Sequence, residues 1–190
     1  MVLTAPVRNI DGVELPAAGR YEIDPGHSTV GFEVRHLMLT KTRGNFQQFS
    51  GAIEIGEAYA DSSVSVEIEA ASIDTANPDR DAHLRTSDFL GAPDHPQMTF
   101  VSRAARMSGD QPLIDGDLTI RGISRPVTLK CEFQGGIVDP WGNDRIAFTA
   151  STLINREDWD MTWNIPMDGS KLVVGKEVRI VIEVEAVKAN

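Results

Sequence analysis

Alternation of apolar and polar residues along most of the chain constrains its fold more than any other feature. In one segment, Val64, Val66 and Ile68 share one face while Ser65 and Glu67 share the other. Strands with one dry and one wet face are typical of antiparallel sheets. The segments with this pattern are 20–24, 28–36, 45–55, 62–73, 98–103, 113–120, 126–134, 144–154 and 177–187. Roughly eight or nine such strands can close a small barrel around an interior lined by side chains, so we predict an all-β barrel.

A single helix is predicted to interrupt these strands. Asn77 suits an N-cap, Pro78 suits the first helical position, and Asp79 and Asp81 lie where the helix dipole favours negative charge. Gly91 is a natural place for the helix to stop. The predicted inward residues are Leu84 and Phe89.

Composition and charge exclude several classes of partner. The chain has 190 residues, a formal net charge of -10 and one cysteine, Cys131. Nucleic acids and anionic lipid surfaces attract clustered Lys and Arg, so this charge argues against both. No stretch reaches the ~18 apolar residues of a membrane-spanning helix. A lone cysteine forms no internal disulfide and no secretory signal is visible, so we expect a cytoplasmic protein.

The sequence indicates one domain preceded by a short N-terminal arm. No Ser/Gly run, charge block or low-complexity tract marks a linker. The first residues include Pro6 and Pro16 and have no clean period, so we predict an N-terminal arm over residues 1–18 and a barrel domain over residues 19–190. Glycines at predicted turns between strands are Gly109, Gly135 and Gly142.

One apolar face ends in an imidazole. Val30, Phe32 and Val34 alternate along a predicted strand, and the next residue on that face is His36. A polar group at the end of an apolar row must be hydrogen-bonded or it destabilises the fold. Two interpretations stay open: His36 is satisfied by a neighbouring strand or water at the barrel rim, or it contacts the polar head of a ligand whose tail lies along the apolar row.

Four motifs, in order, resemble those of the YceI-like family. They are IDPGHSTVGFEVRHLMLTKTRGNFQQFSGAIEI, DAHLRTSDFLGAPDHPQMTFVS, GDLTIRGISRPVTL and INREDWDM, and the resemblance runs from about residue 21 to residue 187. It implies an extended, lipocalin-like antiparallel eight-stranded barrel with a short helical insertion. It also implies an apolar interior that holds a long isoprenoid chain, such as a polyprenyl lipid or a quinone tail, with no other cofactor. Members of the family often pair, so a homodimer is expected.

The chain departs from the family pattern in two places. After the NR.D motif the family commonly has Phe and Gly, where this chain has Trp159 and Asp160. Aspartate reaches positive φ less readily than glycine, so we expect that turn to differ. The family's double Phe before the helix stop is Phe89 and Leu90 here, which keeps apolar bulk but reshapes the pocket.

Chain lipids fit an apolar tube for energetic reasons. Burying a methylene contributes ~0.8 kcal/mol, so one isoprene unit contributes ~3–4 kcal/mol, whereas immobilising the lipid costs ~4–15 kcal/mol. Long tails therefore bind well without any catalytic group. Each candidate ligand-binding residue could equally be packed core. The candidates are Val30, Phe32, Val34, His36, Ile53, Val66, Ile68, Met98, Phe100, Leu118, Ile120, Leu129, Phe133, Phe148, Trp159, Trp163 and Ile180.

The segment DWDMTWNIPMDG carries an unusual apolar load. Its large apolar residues are Trp159, Met161, Trp163, Ile165 and Met167. Adaptable Met and broad Trp side chains suit a cover over a flexible ligand. An ordinary loop that plugs one end of the barrel explains them equally well. Trp141, at a predicted hairpin tip, either contacts a partner chain or folds back onto the rim.

Residue types used in catalysis are present, but not in known catalytic spacings. Asp24, His27 and Ser28 are too close in sequence to form a triad along one strand. The histidines lack zinc-site spacing, and Cys131 alternates inward as an inert thiol would. Together with the family resemblance, which implies an isoprenoid ligand, this predicts non-enzymatic binding, storage or transport of a long-chain isoprenoid lipid. The alternatives are a metal-dependent or hydrolytic enzyme using His and Asp residues at the barrel mouth, and a dimeric stress-related scaffold whose barrel is filled.

Overall fold

The computed structural model describes residues 6–10, 13–166 and 173–189. Strands and the helix occur in the order β1 (Val7–Ile10), β2 (Val13–Pro16), β3 (Gly19–Ile23), β4 (Thr29–His36), β5 (Thr40–Phe46), β6 (Phe49–Ile55), β7 (Ser63–Glu69), β8 (Ile73–Asp74), α1 (Pro78–Leu84), β9 (Gln97–Ser108), β10 (Gln111–Ile120), β11 (Ile123–Val138), β12 (Asp144–Asn155) and β13 (Val174–Lys188). Single turns of 3₁₀-helix cover Tyr59–Asp61, Ala70–Ser72 and Arg156–Trp159.

Eight strands close into an antiparallel barrel. The ring runs β3–β6–β7–β9–β10–β11–β12–β13, and β13 pairs back onto β3 to complete it. Pairing of β12 with β13 is continuous, from Arg145 opposite Val187 to Asn155 opposite Glu177. The predicted all-β barrel with a short helical insertion is therefore confirmed. Alternation along each strand points the apolar residues into the ring, where the main core cluster lies.

Several barrel strands are broken into two consecutive segments. The same edge of β13 pairs with β4 over Val174–Glu183 and with β3 over Ala186–Lys188. Strands β5 and β8 continue the wall outward from β4 at that end of the barrel. Beyond β8 the wall is completed by α1 and the loop after it, which the Arg121 guanidinium holds by donating to the carbonyl of Phe89 at 2.6 Å.

Helix α1 begins as predicted but ends earlier. Asn77 caps it, its Oδ1 accepting from the Arg80 backbone N–H at 3.0 Å. The helix stops at Leu84, so the predicted end at Gly91 is wrong; Gly91 adopts φ 58° in a separate turn farther along the chain. Asp81 is buried and accepts from the backbone N–H and hydroxyl of Thr75 at 2.9 and 2.5 Å. These hydrogen bonds link α1 to Thr75, the residue that directly follows β8.

The predicted turn at Gly135 is wrong, because β11 passes straight through it. The pairing of β11 with β12 shifts register between Phe133 and Gly135, which marks a β-bulge. Gly135 has φ 117°, a backbone conformation that residues with a side chain rarely adopt. The predicted turns at Gly109 and Gly142 are confirmed, since both lie between consecutive paired strands.

Part of the segment predicted as an arm forms a hairpin. Strands β1 and β2 pair antiparallel, with Val7 opposite Pro16. The hairpin lies on β11, where a Cβ at Gly136 would come within 3.1 Å of both Pro6 and Val7. The absence of a side chain at Gly136 therefore permits this close approach.

A buried carboxylate organises the β11–β12 turn. Asp139 accepts hydrogen bonds from the backbone N–H groups of Trp141 and Asn143 and, at 2.9 Å, from the Nε of Arg145. Arg145 also donates to Asp24 at 2.7 Å, which links this turn to the end of β3. Burial acts to raise the pKa of Asp139, but the hydrogen bonds from Asn143 and Arg145 outweigh it and hold the pKa below its usual range.

We expect Asp139→Asn to destabilise the protein in a pH-dependent way. A carboxylate whose pKa is lowered by folding stabilises the native state above its unfolded pKa of about 3.9 and loses that contribution as the pH falls toward the folded value. Urea midpoints of the variant should therefore lie below wild type at pH 7, and the gap should narrow below about pH 4. Asp110→Asn, at an exposed hairpin turn, should leave the midpoint unchanged. A gap that is the same at pH 7 and pH 3 would contradict the expectation.

Candidate ligand cavity

An apolar cavity of about 300 Å³ lies inside the barrel. Its wall combines inward side chains of the ring strands with Phe46 of β5, Ile73 of β8 and Leu84 of α1. The lining is almost entirely apolar. Ligand pockets of about this size and larger typically have apolar walls with a few placed polar groups.

Most of the predicted site residues meet at this cavity. They come from strands far apart in sequence and are brought together because each occupies the inward face of its strand. Those in the wall are Val30, Phe32, Val34, Ile53, Val66, Ile68, Met98, Phe100, Leu118, Ile120, Leu129, Phe133, Phe148 and Ile180. That these residues contact a ligand stays a prediction.

His36, Trp159 and Trp163 lie outside the cavity lining. His36 is the last residue of β4 and is exposed; it pairs with Val174 of β13, beyond a register shift between Val174 and Val178. Trp159 is buried in the core, and its Nε1 donates to the Leu118 carbonyl at 3.1 Å. The ring of Trp163 packs edge-on against His83, with ring centroids 4.6 Å apart.

The segment around these tryptophans is only partly buried. Met161 is buried and lines the cavity, whereas Ile165 is exposed. Met167 lies outside the described residues. Aspartate at position 160 was expected to disfavour positive φ. Asp160 nevertheless adopts φ 58°. Aspartate reaches the left-handed region more readily than most residues because its short side chain bonds locally. Trp141 is exposed at the β11–β12 turn and does not fold back onto the rim.

Two aromatic rings lie over glycines, which leaves the centre of the barrel open. A Cβ at Gly44 would be 2.6 Å from Cζ of Phe32, its cross-strand neighbour. A Cβ at Gly116 would be 2.5 Å from Cζ of Phe100. Each ring therefore lies along the wall in space that a side chain would otherwise fill.

Sequence reasoning missed several wall residues. Many of them continue an alternation already visible in their strands and could have been found by extending it. These are Ile23, Ile114, Val127, Ala150, Ile154, Val178, Ile182 and Val184. Others depend on contacts between distant segments, and no local pattern indicates them: Arg8, Tyr59 and Arg156.

Each end of the cavity carries an arginine. Arg8 and Tyr59 lie near the β6–β7 connection, and Arg156 follows β12 at the opposite end.

Burial raises the pKa of Tyr59 above its ordinary value. Burial likewise raises the pKa of Cys131 on the inner wall to about 11, so the thiolate is scarce at neutral pH.

Arg156 is the more deeply buried of the two arginines, with 2% of its surface exposed. Its Nε donates to the Gly175 carbonyl at 3.0 Å and its Nη1 donates to the Met161 carbonyl. Its Nη2 is buried and has no hydrogen-bond partner among the described residues. Burial lowers the pKa of Arg156, because the charged form is poorly solvated.

Histidine and acidic residues form separate pairs in the described part of the chain. His27 contacts Asp24 at 2.9 Å and His83 contacts Asp88 at 2.8 Å. No cluster of three such side chains that could hold a metal ion is found in residues 6–10, 13–166 and 173–189. Over those ranges, none of the helical segments has the length and hydropathy needed to cross a bilayer.

Comparison with known proteins identifies the family. The model of the YceI-like domain matches residues 21–186. Protein YceI of Escherichia coli O157:H7 is 37% identical over 174 residues, covering 90% of this chain and 88% of that protein. The chain therefore belongs to the YceI-like family, as the sequence motifs indicate.

Solved structures share the fold. BcnA of Burkholderia cenocepacia superposes with a TM-score of 0.74 at 25% identity, covering 86% of this chain and 98% of that one. A structure described as a polyisoprenoid binding domain from Saccharophagus degradans gives a TM-score of 0.68 at 14% identity, covering 89% and 98%. At 14% identity, the similarity to the Saccharophagus degradans domain shows a shared fold and nothing further.

Proposed function

We propose that this protein binds a long-chain isoprenoid lipid inside its barrel and stores or carries it. The observation that supports this most directly is the apolar cavity enclosed by the ring strands and α1. An open space lined by Val, Ile, Leu and Phe excludes water and accepts a flexible hydrocarbon without needing directional contacts.

The energetics favour a long chain over a small apolar molecule. Each buried methylene contributes about 0.8 kcal/mol, and immobilising a ligand costs roughly 4–15 kcal/mol. A short ligand recovers little beyond that cost, whereas a chain of several isoprene units exceeds it. Branched isoprene methyls also fill the irregular spaces between inward side chains better than a straight chain does.

Membership of the YceI-like family supports a binding protein rather than an enzyme. The Saccharophagus degradans domain with this fold is described as polyisoprenoid binding, which agrees with an isoprenoid as the occupant. The lining also offers few groups suited to acid–base chemistry, since it is almost entirely apolar.

The test is to identify the occupant directly. Protein purified from lipid-replete bacteria should release an isoprenoid lipid into organic solvent, detected by mass spectrometry at near-stoichiometric amount. Delipidated protein should then take up added polyprenol or a long-tailed quinone. A clean extract together with no uptake of either lipid would overturn the proposal.

Two further expectations stay predictions, a homodimer and a cytoplasmic location. Light scattering after size-exclusion chromatography measures the first, where a mass near twice that of the 20.8 kDa chain is expected. Fractionation of the native host cells measures the second. Neither result bears on whether the barrel holds a lipid.

A further inference from the structure

Arg156 is an arginine in an almost entirely apolar wall, and it has a hydrogen-bond donor left unused. Two of its nitrogens are held by main-chain carbonyls, of Gly175 on β13 and of Met161. The third, Nη2, is shielded from solvent and unpaired among the described residues. An unsatisfied buried donor costs free energy, about 1–3 kcal/mol and more for a charged group, so such a group calls for an explanation.

The positive charge of Arg156 is not neutralised by a direct ion pair with any described residue. The neighbouring carboxylate, Glu157, bonds instead to Lys176 at 2.8 Å on the outer surface. The ring of Phe89 also lies nearby, with its centroid 6.0 Å from Cζ of Arg156. Two neutral carbonyls and an aromatic face fix the guanidinium in position without cancelling its charge.

We propose that Nη2 of Arg156 binds an ionised oxygen in the head group of the isoprenoid ligand, which rests on the proposed function. The acceptor is a phosphate or a carboxylate oxygen carried at one end of the apolar chain. A guanidinium donates charge-assisted hydrogen bonds to such oxygens, and these are roughly twice as strong as neutral ones. The pairing satisfies the free donor and the unneutralised charge together.

The position of Arg156 sets the orientation of the bound lipid. Arg156 follows β12, at the end of the barrel closed by α1 and the loop after it. The head group therefore lies at that end, and the tail runs along the strands toward Tyr59 and Arg8. Fixing one end of the chain also gives the binding a selectivity that a uniformly apolar tube lacks.

The experiment compares chain-matched ligands on delipidated protein by native mass spectrometry. The probes are geranylgeranyl phosphate, geranylgeranoic acid, geranylgeraniol and the hydrocarbon phytane. Wild type should bind the phosphate, the acid or both at least about tenfold more tightly than the alcohol, as a charge-assisted hydrogen bond provides. The two ionised probes show which acceptor the site prefers.

Arg156→Met should abolish this preference and leave the affinities for geranylgeraniol and phytane within about threefold of wild type. Arg125→Met is the matched control, because Arg125 donates to the carbonyl of Asp158 in the adjacent turn but is exposed and outside the cavity lining. That variant should keep the preference of wild type.

A second measurement does not depend on the variant folding. In wild type, nitrogen NMR of the Arg156 side chain should show a shift when geranylgeranyl phosphate or geranylgeranoic acid is added and none with geranylgeraniol. Equal affinity of wild type for ionised and neutral probes would overturn the inference, as would a preference that survives in a folded Arg156→Met variant. If wild type binds none of the four probes, the proposed function fails instead.

Discussion

Replacing Trp159 with alanine should lower the free energy of unfolding by about 3–5 kcal/mol, the cost typical of removing a large aromatic side chain from a core. Only 2% of Trp159 is exposed, and it packs within the main core cluster. Its indole N–H also satisfies the Leu118 carbonyl, which the alanine variant leaves without that donor. Urea denaturation followed by circular dichroism measures the loss.

Trp141 provides a control of the same residue type. It is 81% exposed at the β11–β12 turn, so Trp141→Ala should change stability by no more than about 0.5 kcal/mol. Trp159→Phe should fall between the two, because it keeps most of the apolar volume and loses the hydrogen bond. If Trp159→Ala lowers the free energy of unfolding as little as Trp141→Ala does, Trp159 is a surface cover rather than part of the core.

Replacing Ala150 with tryptophan should weaken binding of chain lipids by more than about 100-fold while the barrel stays folded. Ala150 lies near the middle of β12, in the cavity wall. An indole there occupies the space of roughly one isoprene unit, whose burial contributes ~3–4 kcal/mol. The cavity has room for the added volume, so the free-energy cost of overpacking should be small. Titration of delipidated protein with a long-tailed quinone measures the loss.

Leu153→Trp is the matched control for this experiment. Leu153 lies on the same strand but faces outward and is exposed, so a tryptophan there should leave quinone affinity unchanged. If Ala150→Trp unfolds the protein or leaves lipid affinity unchanged, the cavity is not the binding space. The first result would indicate a packed interior and the second a ligand held elsewhere.

The strands and the barrel were predictable because they depend on a local rule. Any strand buried on one face must alternate, so Val64, Val66 and Ile68 indicate both the strand and its inward side. Closure of the ring follows from the number of strands rather than from any single residue. The same rule placed residues such as Leu118 and Leu129 correctly in the cavity wall.

Features that depend on tertiary contacts were not predictable. Gly135 carries the same local signal in a bulge as in a turn, and only its pairing with β12 distinguishes the two. His36 continues the alternation of its strand, but the local pattern does not show that the end of β4 is exposed. Arg156 lies within a family motif, yet no local pattern indicates that it is buried, since its position depends on the carbonyls of Met161 and, on β13, Gly175.

The reactivity of Cys131 can report whether the cavity holds a lipid. It is the one cysteine of the chain, it lines the cavity and it lies directly opposite Ala150 on the neighbouring strand. Alkylation at this sulfur is slow at neutral pH because so little thiolate is present, and a hydrocarbon lying against it would block the reagent as well. The rate of alkylation would therefore report the fraction of molecules that carry cargo in a crude extract, before any purification has stripped it away.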